Sequence, residues 1–209
     1  MKKIMVDLDD TLVSYSEMFI NRANSIIGSK QEFPDLKLSA DDIQDYDYEV
    51  LFNKVIPTTE FWYSPKSLMN MVTKSIYSDE LFYLNPVYTK ESKTIFKMIL
   101  DKRVSEDCFF ELNTKVSTTT MVIAKAKLFD KDKRFDYFNN IIIDLDHNSV
   151  HSGKRTDYDM IIDDSPYIIR NYLEKNPNGK VLMPLRNWNK CLVGTPRVEV
   201  LEVNKEKIW

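Results

Sequence analysis

The sequence predicts an α/β protein: a parallel sheet core flanked by helices, with a smaller helical unit inserted after the first strand. Three observations carry this. After about residue 87, short continuous apolar runs alternate with segments of helical spacing. Those runs lack the strict apolar/polar alternation of a half-solvated antiparallel strand, so they read as strands buried on both faces. The stretch 14–86 holds helical patterns and no such run. The expected core is therefore 1–13 together with 87–209, and the expected helical insert is 14–86.

Taken in order, residues 3–7 form the first short strand. From Tyr15 to Ile27 the apolar positions Phe19, Ala23, Ile26 and Ile27 recur at helical spacing. The segment from Gln31 to Tyr48 is polar and acidic, with Ser39 placed to cap a helical start at Ala40-Asp41-Asp42. Residues 49–80 are helical, broken at Pro57 and Pro65, and rich in aromatic side chains that include Phe61 and Trp62. An amphipathic helix is expected over 88–100, and a strand from Cys108 to Thr114. A helix over 119–130, a strand from Asn140 to Asp144 and a strand from Tyr158 to Asp164 follow. A helix over 166–175 and a last buried strand, Val181-Leu182-Met183, complete the pattern.

Composition narrows the class. Of 209 residues, 43% are hydrophobic, enough for a sizeable core and too many for wholesale disorder. The formal net charge of -3 does not suit a long basic surface for duplex nucleic acid. Two cysteines, Cys108 and Cys191, stand far apart in no paired motif, which fits a reducing cytoplasm rather than a disulfide framework. No apolar stretch approaches the ~18 residues of a membrane span, and no signal-peptide core follows Met1. The four glycines form no phosphate-binding loop pattern.

The chemistry concentrates in acids. The first strand empties into Asp7-Leu8-Asp9-Asp10-Thr11, and a later one into Asp163-Asp164. In an open parallel sheet ligands bind beyond the carboxyl ends of the strands, where both acidic groups would lie. Carboxylates gathered there repel one another and resist desolvation unless a divalent cation joins them. Such a hard oxygen set suits Mg²⁺. Thr114 ends a third strand on the same edge, and Lys154 lies in a polar turn before the Tyr158–Asp164 strand. An EF-hand reading fails, because Leu12 and Met18 stand where Gly and Glu are required. His147 and His151 have metal-like spacing but no evident third ligand, and read as surface residues. Aromatic residues at helical spacing, Phe61 and Trp62 among them, read first as core.

Together these residues resemble the haloacid-dehalogenase superfamily of phosphotransferases, whose core is Rossmann-like. Asp7-Leu8-Asp9-Asp10-Thr11 is similar to its first motif, Thr114 to its second, Lys154 to its third and Asp163-Asp164 to its fourth. Within it the chain most resembles the 5'(3')-deoxyribonucleotidases. The marks are the helical insert between the first two motifs, the stretch Leu81-Phe82-Tyr83-Leu84-Asn85-Pro86, and the run Ile161-Ile162-Asp163-Asp164-Ser165-Pro166. Tyr15 stands where that family places a base-contacting aromatic. Two departures are Asp10, where Gly is frequent, and Asn113-Thr114-Lys115, where a Thr-Ser pair is usual.

The resemblance implies a Mg²⁺-dependent monoesterase acting on deoxyribonucleoside monophosphates. Asp7 would be the nucleophile and Asp9 the acid and base. The metal would be held by Asp7, the Asp9 carbonyl and Asp163, with Asp164 in support. Thr114 and Lys154 would hold the phosphate. The expected partner is a small nucleotide, with no duplex nucleic acid and no membrane, and a homodimer is left open. Two alternatives remain: a related phosphatase of another small monoester or of a nucleic-acid phosphate end, and a non-catalytic binding protein on the same core.

Overall fold

The computed structural model describes residues 1–29, 37–44, 48–55, 64–105, 107–145 and 157–203. Six strands form one all-parallel sheet: β1 (Lys2–Val6), β2 (Cys108–Val116), β3 (Asn140–Leu145), β4 (Met160–Ile162), β5 (Lys180–Met183) and β6 (Val198–Val200). Their spatial order is β3-β2-β1-β4-β5-β6, so β1 is central and paired on both sides. Among the described residues six α-helices accompany them: α1 (Tyr15–Gly28), α2 (Tyr48–Val55), α3 (Pro65–Tyr77), α4 (Ser92–Ser105), α5 (Thr119–Lys131) and α6 (Pro166–Lys175). Among the described residues no helix is long and apolar enough to cross a membrane.

The inner strands β1, β2, β4 and β5 are mostly buried, which is why they read as continuous apolar runs, while the edge strands β3 and β6 are half-exposed. Successive residues of β1 point to opposite sides. Ile4 and Val6 join a core with Phe110, Leu112, Ile95, Ile99 and Leu128. Met5 joins a second core with Ile161, Ile169, Tyr172 and Met183. Glu111 of β2 is one of several polar residues in this interior. It is buried, and it accepts hydrogen bonds from the Tyr158 hydroxyl and, at 2.8 Å, from Asn140 Nδ2.

Local signals set the helix boundaries. Ser39 caps the turn Ala40–Asp42, accepting from the Asp41 amide at 3.2 Å, while Asp42 accepts the Ser39 amide at 2.8 Å. Ser64 and Pro65 start α3, and Ser165 and Pro166 start α6, in each case a hydroxyl cap followed by a pre-set φ. The helix expected over 88–100 begins only at Ser92. Residues just before it serve the loop after β1 instead: Tyr88 bridges Val13, and Thr89 donates from Oγ1 to the Thr11 carbonyl at 2.8 Å. Strand β6 went unforeseen because three residues flanked by Arg197 and bearing Glu199 give too short an apolar signal.

One surface cluster yields a stability prediction. Asp132 accepts hydrogen bonds from Tyr88 Oη and from Arg134 through N, Nε and Nη2, the last at 2.6 Å. Burial pushes the Asp132 carboxyl up, but the Arg134 and Tyr88 bonds outweigh it and hold the group at about 2 against an ordinary 3.8. A carboxyl depressed on folding stabilises above its unfolded value and loses that contribution as pH falls toward the folded one. Asp132→Asn should therefore cost about 1–2 kcal/mol near pH 7. The difference from wild type should close between pH 4 and 2, as followed by urea unfolding across that range.

Candidate active site

The register of the sheet sets the site. Val6 pairs with both Leu112 and Ile162, so the residues that follow β1 and β4 emerge side by side. The Asp7 amide donates to the Ile162 carbonyl at 2.9 Å, which extends the pairing by one residue. Asp7, Asp163 and Asp164 thereby converge, with one carboxylate oxygen of each lying within 4.8 Å of the others. All three are buried.

Beyond Asp7 the chain turns tightly. Leu8, Leu12 and Val13 are fully buried, and the amides of Leu12 and Val13 both donate to the Leu8 carbonyl, at 2.8 and 2.9 Å. Asp10 takes the left-handed conformation this turn needs, with φ of 55°, a region that Gly reaches freely and Asp tolerates better than most residues. Its carboxylate accepts the amide and hydroxyl of Ser16 at 2.8 and 2.6 Å, so the side chain fastens the turn to the start of α1. Burial is the chief reason that the Asp10 carboxyl is pushed up to about 6. The Ser16 bonds oppose it, and the Asp9 charge adds to it.

Asp163 and Asp164 have separate settings. Asp163 accepts the Ser165 amide at 2.9 Å. Asp164 accepts Thr11 Oγ1 at 3.1 Å and Trp188 Nε1 at 3.0 Å, and its carbonyl accepts Asn189 Nδ2 at 2.9 Å. Burial pushes the Asp164 carboxyl well above the usual range, and the charges of Asp10, Asp163 and Asp7 push it further. Three desolvated carboxylates held this close are the donor set a hard divalent cation fits. It offers oxygen ligands only, and a positive charge there would offset both burial and mutual repulsion. Asp7 and Asp163 would hold such an ion, with Asp164 steadied by Thr11 and Trp188 beside them.

The Asp9 side chain turns the other way. Its Oδ1 accepts Tyr83 Oη at 2.5 Å, and its Oδ2 accepts Lys125 Nζ at 2.5 Å. Thr114, two residues before the end of β2, which runs on past the expected stop to Val116, is fully buried; its Oγ1 lies 2.5 Å from Lys125 Nζ and 3.5 Å from Asp9 Oδ2. The edge thus carries two groups: Asp7 with Asp163 and Asp164, and Asp9 with Thr114 and Lys125.

Of the residues expected from sequence, Asp7, Asp9, Thr114, Asp163 and Asp164 are brought together here. Tyr15 is half-buried nearby, its ring 6.2 Å from both Phe19 and Tyr48 and 6.0 Å from Phe82. Burial pushes its phenol well up, and Tyr77, Asp9 and Asp10 push it further. Lys154 lies outside the described residues, as do Phe61, Trp62, His147 and His151.

Four site residues escaped the sequence reading: Tyr83, Lys125, Arg186 and Trp188. Arg186 donates through Nε and Nη2 to the Asp10 carbonyl at 3.0 and 2.6 Å, and through Nη2 to the buried Glu91 at 3.1 Å. It ties the loop after β5 to the turn after β1. Lys125 did carry a signal. It completes the buried stripe Met121, Ala124, Lys125, Leu128 on α5, where an apolar residue is expected.

No family model matches the sequence, and no curated protein matches it. Solved structures do match. A candidate phosphatase from Clostridium difficile aligns over 97% of this chain and 94% of its own, with a TM-score of 0.60 and 16% identity. A haloacid dehalogenase-like family hydrolase from Streptococcus pneumoniae aligns over the same shares, with a TM-score of 0.56 and 14% identity. The chain has the haloacid-dehalogenase-like fold. A candidate phosphoglycolate phosphatase from Lactobacillus delbrueckii subsp. bulgaricus also shares it, over 96% of this chain and 94% of its own, at a TM-score of 0.54 and 12% identity. At such identities the likeness is one of architecture. In this chain the carboxyl edge of the haloacid-dehalogenase-like core is where Asp7, Asp9, Thr114, Asp163 and Asp164 gather.

Proposed function

We propose that the chain is a Mg²⁺-dependent phosphomonoesterase, and that its substrates are deoxyribonucleoside monophosphates. The observation that carries the reading is the pair of separate groups at one sheet edge. Asp7 stands with two further buried acids, and Asp9 stands apart with a lysine and a hydroxyl. A structural cluster has no need of two aspartates two residues apart, fastened by different partners.

On this reading an Asp7 oxygen attacks phosphorus and forms an aspartyl phosphate while the ester P–O bond breaks. Asp9 gives its proton to the departing alkoxide oxygen. Asp9 then takes a proton from a water that attacks the same phosphorus, the Asp7–phosphate bond breaks, and inorganic phosphate leaves. Thr114 supplies a hydroxyl to a non-bridging oxygen, and by resemblance Lys154 supplies a cation. Mg²⁺ bound by Asp7, the Asp9 carbonyl and Asp163 would offset the repulsion between an anionic nucleophile and an anionic phosphate.

Two features favour a planar, small substrate. The helical stretch 14–86 is proposed as a cap domain over the core 1–13 and 87–209. Contacts support its seat on the carboxyl edge: Asn187 Nδ2 donates to the carbonyls of Asp41 and Ile43, each at 3.3 Å, and Tyr83 reaches Asp9. Tyr15, Tyr48 and Phe82 form an aromatic cluster beside the acids, suited to a flat ring.

The test is phosphate release from a panel of 5'- and 3'-deoxynucleotides, ribonucleotides and sugar phosphates, with Mg²⁺. The highest kcat/KM should fall on a deoxynucleotide. A sugar phosphate at the top would replace the substrate assignment. No turnover on any member, with no binding of beryllium fluoride, would favour a binding protein instead.

A further inference from the structure

We propose that Tyr83 and Lys125 are positioning residues that hold the Asp9 carboxyl in line with the leaving-group oxygen, a role that rests on the monoesterase reading. Tyr83 is fully buried, its ring edge-on to Phe82 at 5.2 Å and 88°. A buried phenol needs an acceptor. Among the described residues that acceptor is Asp9 Oδ1, at 2.5 Å.

Lys125 is committed in the same way. Its side chain is 1% exposed, and its ammonium has three protons. Three acceptors meet them: Asp9 Oδ2 and Thr114 Oγ1, each at 2.5 Å, and the Lys115 carbonyl at 3.3 Å. No proton is left over for a substrate, so Lys125 acts through Asp9 and Thr114.

A carboxylate offers about four lone-pair directions. The phenol takes one on Oδ1 and the ammonium one on Oδ2. Rotation about the Asp9 side-chain bonds would break both contacts at once, so the remaining directions are fixed in space, and a proton in transit must use one of them. The two clamps come from different parts of the chain. Lys125 sits on α5 of the core, and Tyr83 on the segment between α3 and α4 that returns from the helical insert. Lys127 and Lys131, also on α5, hold the same segment through Glu80 at 2.9 Å and the Leu84 carbonyl at 2.7 Å.

Leaving-group dependence separates positioning of a proton donor from general structural support. An alkyl phosphate needs its leaving oxygen protonated; p-nitrophenyl phosphate, with a stable phenolate, barely does. Because kcat/KM reports the steps through ester cleavage, it isolates that proton transfer. Wild type, Tyr83→Phe and Lys125→Gln are compared on the best alkyl phosphate of the panel and on p-nitrophenyl phosphate. Thermal melting and inhibition by inorganic phosphate serve as controls.

Tyr83→Phe keeps the ring and loses only the hydroxyl. It should lower kcat/KM for the alkyl ester about tenfold more than for the aryl ester, with phosphate inhibition unchanged. Lys125→Gln should shift the ratio in the same direction. Equal losses on both esters, or none, would overturn the proposal while leaving the monoesterase reading intact. A wild type that turns over neither ester would overturn that reading, and this proposal with it.

Discussion

Asp7→Asn is expected to abolish turnover, by ~10⁴-fold or more, and to leave the fold intact. The amide has nearly the volume of the carboxylate but no anionic oxygen to attack phosphorus. Stability should move the other way. Asp7 is one of the charges that push the Asp164 carboxyl up. Removing that charge in metal-free protein relieves like-charge repulsion in a buried site, so the variant should melt at or above the wild-type temperature, by about 1–2 kcal/mol at most. The check is phosphate release beside a melting curve in chelator. Near-normal activity would remove Asp7 from the nucleophile's role. A large drop in melting temperature would mean that the aspartate is structural.

The second large effect concerns the cation. Asp7, Asp163 and Asp164 converge in a desolvated site, and an ion that binds only the folded chain stabilises it by mass action. At ~100 times its dissociation constant, Mg²⁺ should add about 2.7 kcal/mol. For a chain of this length that is a rise of roughly 5–10 °C in melting temperature over chelator-treated protein. Asp163→Asn should remove most of the rise, because it takes a carboxylate from the set. Asp132→Asn lies outside the site and should leave the rise untouched. A wild type that gains nothing from Mg²⁺, or an Asp163→Asn protein that gains as much as wild type, would take the ion away from this cluster.

What could be read from sequence follows the physics of each signal. The strands were legible because a sheet covered on both faces needs unbroken apolar runs, as in Ile4-Met5-Val6 and Ile161-Ile162. The acids were legible because Asp7 and Asp163 directly follow such runs, where a charge is costly without a purpose. β6 was not legible, since three residues beside Arg197 carry no run. Tyr83 and Arg186 were hidden for a different reason. Each acts through a partner far away in sequence, Asp9 in one case and the Asp10 carbonyl in the other, and no spacing rule links them. Lys125 stands between these cases. A lysine on the buried stripe of α5 is visible as an anomaly, but what it pairs with is decided by the sheet order. The strand order places β2 beside β1, which sets Thr114 and α5 next to Asp9.

Asp10 shows how a departure from pattern can be absorbed. A side chain at φ of 55° is tolerated because it is an aspartate, and because Ser16 supplies two donors to it. The same bonds tie the turn after β1 to the start of α1.

The most direct test of the account is to find the phosphate on Asp7. The protein is mixed with its best substrate and Mg²⁺, quenched in acid within a turnover, and reduced with borohydride, which converts an acyl phosphate to an alcohol. Peptide mapping should then place homoserine at position 7, and the signal should vanish in Asp7→Asn. Steady turnover with unmodified aspartate at position 7, or homoserine at another aspartate, would contradict the assignment.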